Sequence, residues 1–87
     1  MAQLALVTTA DCGQLEGDKI GANRLHDEVK KVCPGITGEA LWEKILSKFN
    51  LGQRDCQTWV ANMNAAILIW NQNQPTSCTD IAQVYQV

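Results

Sequence analysis

Apolar residues recur at three- and four-residue steps from Cys56 through Trp59, Val60, Met63 and Ile67 to Trp70, the pattern of one face of an amphipathic helix. The spacing predicts a helix over residues 54–73. A run of about twenty residues favours helix over strand. Its second half, Ala65-Ala66-Ile67-Leu68-Ile69-Trp70, is apolar on every side, so this helix is expected at the centre, touched by others on most faces. Asp55 suits the positive end of its dipole, and Pro75 forbids continuation.

Upstream, Leu41, Trp42, Ile45, Leu46 and Phe49 form a second stripe with Glu43, Lys44 and Lys48 opposite. Thr37, after the breaker Pro34-Gly35, is its candidate N-cap. Asn50-Leu51-Gly52 is its stop, with Asn50 or Gly52 taking a left-handed conformation. From about Asp18 to Val32, Ala22, Leu25, Val29 and Val32 share one face, Arg24, Asp27, Lys30 and Lys31 surround the other, and Cys33-Pro34 ends the segment. Ser77-x-x-Asp80 resembles a capping box opening a short last helix, with Cys78, Ile81 and Tyr85 facing inward. Gly13, Gly17 and Gly21 read as loop or cap positions with a break near Gly17-Asp18, because an interior glycine costs a helix about 1 kcal/mol. The expected architecture is all-α: one domain over residues 1–87, a small bundle of four or five helices.

Four cysteines, Cys12, Cys33, Cys56 and Cys78, change that picture from a plain bundle to a stapled one. Structural zinc sites draw ligands from close pairs on a turn, and no two of these cysteines are close in sequence. An even count in a short chain reads as two disulfides, which persist in oxidising compartments. Bonded cysteines bring their Cα atoms within about 7 Å, whereas a fifteen-residue helix separates its ends by about 22 Å. Neither Cys12–Cys33 nor Cys56–Cys78 can then form across a helical interval. Short connections at 34–36 and 50–53 make successive helices antiparallel, which favours Cys12–Cys56 with Cys33–Cys78. The nested alternative, Cys12–Cys78 with Cys33–Cys56, requires the middle helix to lie crosswise.

Disulfides imply a secreted or periplasmic protein whose signal peptide has been removed. Met1–Val7 is too short for a signal-peptide core and has no positive residues before it, so a mature chain beginning near Ala2 is expected, with Met1 supplied for expression. No stretch approaches the eighteen continuous apolar residues of a membrane span. With 46% hydrophobic and 18% charged residues the chain can build a core, and its net charge of −2 offers nucleic acid or an anionic membrane no electrostatic footprint.

Candidate chemistry is sparse. The single histidine, His26, is flanked by Asp27 and Glu28, whose side chains point away from it on a helix, and is expected on the surface. Glu39 and Glu43 share a helical face but read as a solvated edge beside Lys44 and Lys48. No Cys-x-x-Cys motif offers thiol redox catalysis. Trp42, Trp59 and Trp70 could line a pocket, yet each falls on an apolar stripe and is expected in the core. No catalytic, metal-binding or cofactor-binding residue is assigned. Uncharged amides cluster late in the chain, at Asn62, Asn64, Asn71, Gln72, Asn73 and Gln74. Asn71 to Gln74, at the end of the long helix, form the candidate surface for a protein partner.

Cys33-Pro34-Gly35-Ile36-Thr37, followed by a Leu/Trp-rich helix, resembles the Cys-Pro, Gly-Val-Thr turn of small periplasmic immunity proteins that neutralise type VI secreted amidases. That resemblance implies a stapled helical inhibitor of a protein partner, although Cys56 and the spacing of Cys12 depart from the family pattern. With no chemical constellation in the sequence, the functional expectation is an exported, non-enzymatic protein-binding domain, for example an immunity-like one, able to self-associate. A small apolar-ligand carrier and a periplasmic acid-stress chaperone are the alternatives.

Overall fold

The computed structural model describes residues 3–14, 24–36 and 40–87. Among them the chain is all helical, with no strand. An extended segment over residues 3–8, here called the strap, leads into a 3₁₀ turn at Thr9–Gln14. Helix α1 (Arg24–Val32) follows, then a second 3₁₀ turn at Pro34–Ile36, and then α2 (Ala40–Phe49), α3 (Cys56–Asn73) and α4 (Cys78–Tyr85). The candidate N-cap Thr37, the residues Ala22 and Glu39, and the glycines Gly17 and Gly21 lie outside the described residues; Gly13 falls in the first 3₁₀ turn.

Local chemistry sets the ends of α3 and α4. Asp55 stands in extended backbone before α3 and its carboxylate accepts the Thr58 N–H at 2.8 Å, which satisfies one of the donors a helix start leaves open. The Thr58 side chain, and after it this N–H, hold the Asp55 carboxyl below its ordinary range. Gln74 closes α3 in the left-handed region, at φ 47°, its N–H bonded to the Trp70 carbonyl, and Pro75 follows. Ser77 caps α4 by accepting the Asp80 N–H at 3.0 Å, while the Asp80 carboxylate accepts from Thr76 N–H rather than from Ser77. The capping box is thus displaced by one residue on its return arm. At the far end of α4 the Lys48 ammonium donates to the Tyr85 carbonyl, placing a cation at the negative end of the helix. Asn50, at φ 53°, is the left-handed residue of the α2–α3 connection.

The core is built around one face of α3, where Trp59, Met63, Ala66, Ile67 and Trp70 are buried. Leu25 and Val29 of α1, Trp42 and Ile45 of α2, Leu51 of the connection and Ile81 and Tyr85 of α4 pack against it. Phe49 meets Tyr85 edge to face, with ring centroids 5.6 Å apart. The Tyr85 hydroxyl donates to the Ala66 carbonyl at 2.9 Å, so the buried phenol has a partner inside the core.

Two disulfides, Cys12–Cys56 and Cys33–Cys78, bring Cα atoms to 5.5 and 5.2 Å. This is the arrangement that antiparallel succession of the helices favours. Closing loops of 44 and 45 residues, each disulfide stabilises by about 4 kcal/mol in the chain-entropy account. Cys78, bonded to Cys33, lies exposed at the start of α4 instead of being buried with Ile81 and Tyr85.

Two sequence expectations need correction. His26 is only 9% exposed, not a surface residue: the Trp42 ring lies edge-on to its imidazole at 4.8 Å and covers it. The apolar second half of α3 is not enclosed on all sides, since Ala65 and Leu68 face solvent. Helices α1, α2 and α4 cover one side of α3, and the strap lies along the edge of that face.

Candidate functional site

The feature that organises the uncovered side of α3 is a pair of asparagines seven positions apart, Asn64 and Asn71. Seven residues are nearly two helical turns, so both stand on one line of the helix. The Asn64 carboxamide oxygen accepts the Val7 N–H at 2.8 Å and its NH₂ donates to the Val7 carbonyl at 3.1 Å. Asn71 does the same for Leu4, at 2.8 and 3.1 Å. Each side chain thereby holds both main-chain polar groups of one strap residue. Val7 enters the core and Leu4 is half-buried against it.

The strap consequently runs antiparallel to α3, from Leu4 at Asn71 to Val7 at Asn64. The same direction continues to Cys12, bonded to Cys56 at the start of the helix. Thr8 N–H donates to the Asp11 carboxylate at 2.8 Å, and Arg24 lies 3.6 Å from that carboxylate, which together tie the root of the strap to α1. Sequence reasoning left Met1–Val7 without a structural role, and the structure gives residues 3–8 one. Their signal was faint: Leu4 and Val7 stand three apart, opposite two amides seven apart.

Beside the strap, Gln57, Ala61, Ala65, Leu68 and Gln72 form the exposed stripe of α3. Among the described residues the exposed large hydrophobic side chains are Leu6, at 47%, and Leu68, at 48%. Both lie between the two asparagine clamps, Leu6 on the strap and Leu68 on the helix. By the rise of helix and of extended chain they are about 3 Å apart along the helix axis.

The expected partner surface, Asn71 to Gln74, is divided. Asn71 is engaged with Leu4, the Asn73 NH₂ donates to the Ile69 carbonyl at 2.7 Å, and the Gln74 NH₂ donates to the Asn71 carbonyl at 3.3 Å. Gln72 stays exposed, one turn from Leu68. A shallow open groove of about 320 Å³ lies elsewhere, lined by Glu43, Leu46, Ser47, Asn50, Gly52 and Gln53. It contains none of the tryptophans, which are all buried. Among the described residues no group of three or more His, Cys, Asp or Glu side chains could hold a metal ion, and no helix is long and apolar enough to cross a membrane. All four cysteines are in disulfides, as befits an oxidising environment. Set beside known proteins, the chain matches no family model, no curated protein and no solved structure.

Proposed function

We propose that the protein is an exported, non-enzymatic domain, secreted or periplasmic, that binds another protein through the span of α3 and strap between Asn64 and Asn71. The observation that carries this reading is that Leu6 and Leu68, the exposed large hydrophobic residues among those described, both fall within the span that the two asparagine clamps bound. Scattered single leucines on a surface need no explanation, but Leu68 shares the exposed stripe of α3 with Ala61 and Ala65, and Leu6 lies at nearly its level on the strap, an arrangement that suits a small apolar contact. Gln57 and Gln72 border it with uncharged amides, the mixture of apolar centre and polar rim that protein interfaces use. The disulfides support the exported compartment, since such bonds persist where the surroundings are oxidising.

The reading is tested by comparing the wild-type chain with the double variant Leu6→Asp/Leu68→Glu as baits for affinity capture from an extracellular or periplasmic extract. A partner held by the wild type and lost by the variant, with the thermal midpoint unchanged within a few degrees, is the expected result. Equal capture by both would move the contact elsewhere on the molecule.

A further inference from the structure

The asparagine clamps bond only to main chain, so they fix the path of the strap without reading its side chains. Selection is left to the space that buries Val7 and half-buries Leu4. The geometry is matched on both sides. Seven residues of α-helix rise about 10.5 Å, and three residues of polyproline II rise about 9.3 Å. In a flat strand residues four and seven would face opposite ways, whereas a chain with three residues per turn presents both to the same side. The line Asn64–Asn71 is therefore a ruler for an extended chain that turns once every three residues.

We propose that this line of α3 is a binding site for an extended, three-residue-per-turn segment of another protein, with aliphatic side chains at positions i and i+3, and that residues 4–7 are its resident occupant. The proposal rests on the protein-binding reading but uses a different contact, the two carboxamides instead of the exposed leucines. The incoming segment belongs to a partner, not to a second copy, because the Cys12–Cys56 bond fixes the root of the strap to its own helix five residues beyond Val7. So short a tether keeps the resident at an effective concentration on the order of 1 mM. A segment making only the same contacts must reach that concentration to displace it, and one that also covers Leu68 enters below it.

The probe is an acetylated and amidated peptide with the sequence of residues 3–8, titrated into the ¹⁵N-labelled full chain carrying Leu4→Pro and Val7→Pro. Proline lacks the N–H that each asparagine accepts, while its φ suits the extended path, so the resident is weakened and the site is otherwise kept. The side-chain NH₂ signals of Asn64 and Asn71 should shift saturably, with a Kd at least tenfold below the concentration that displaces the wild-type strap. Adding Asn64→Ala should weaken binding about tenfold, read at Asn71. No shift, or an affinity indifferent to Asn64→Ala and Asn71→Ala, overturns the proposal. If the proline variant does not fold, the wild-type chain titrated to about ten times the millimolar tether concentration is judged by the same two results. A doubled mass of the peptide-free wild-type chain that Asn64→Ala abolishes would replace the partner segment by a second copy and overturn the choice of occupant. Absence of peptide binding while Leu6→Asp/Leu68→Glu still loses the captured partner defeats this inference alone; peptide binding with capture unaffected by those substitutions defeats the leucine surface alone.

Discussion

Two sides of α3 hold their neighbours by different means. On one side Trp59, Met63, Ile67 and Trp70 meet α1, α2 and α4 through buried apolar surface. On the other side Asn64 and Asn71 meet the strap through paired hydrogen bonds to its main chain, reinforced by one buried side chain, Val7. Apolar burial is non-directional and grows with area, so the first contact depends on many groups at once. The second is directional and rests on two carboxamides and one core side chain, so it is expected to open at smaller cost than the first.

The sharpest break in that comparison is Trp59→Ala. Removing a fully buried tryptophan loses transfer energy and leaves a cavity, a cost of about 3–5 kcal/mol. Chemical or thermal unfolding should show a severely destabilised protein even with both disulfides intact. An unchanged midpoint would mean that the apolar side of α3 is not the core.

Asn64→Ala addresses the opposite side. It removes two hydrogen bonds to the buried residue Val7 and leaves its N–H and C=O without those partners. The loss should be about 1–3 kcal/mol, from bonds each contributing about 0.5–1.5 kcal/mol. Near-ultraviolet circular dichroism, which reports the tryptophan packing, should stay that of the wild type. A collapse of that signal would show that strap and core are one unit.

A smaller effect belongs to Tyr85, whose hydroxyl bonds to Ala66. Burial pushes its phenol well above the ordinary tyrosine range. The unfolded chain therefore loses that proton first. Stability from the neutral phenol is complete below about pH 10 and falls as pH rises above it. Tyr85→Phe should reduce stability by about 1 kcal/mol at neutral pH and flatten the alkaline decline relative to wild type. Urea unfolding at several pH values between neutral and 11 measures both; parallel curves for the two proteins would show that the phenol does not titrate with unfolding.

The same contrast explains what the sequence could show. Helix α3 was legible because its buried residues keep the helical period, and the staple pairing was legible because short connections leave few ways to bring cysteines together. His26 was misplaced because its charged neighbours Asp27 and Glu28 say nothing about Trp42, which reaches it from another helix. The strap was hidden for a deeper reason. A clamp that bonds to main chain imposes no residue type on Leu4 or Val7 beyond size, and Asn64 and Asn71 look in sequence like any exposed amide. The apolar run Ala65–Trp70 also suggested more cover than α1, α2 and α4 supply, and Leu68 remains in solvent.

Native-state amide hydrogen exchange tests most directly whether the strap is a separately opening ligand of α3. The Leu4 and Val7 N–H groups should exchange far faster than those of Met63 and Ile67, through a local opening that denaturant barely changes. Asn64→Ala and Asn71→Ala should each accelerate the strap amides about tenfold or more, which is the loss of about 1.4 kcal/mol. Exchange of Leu4 and Val7 at the rate of global unfolding, rising with denaturant alongside the α3 core, would contradict the account.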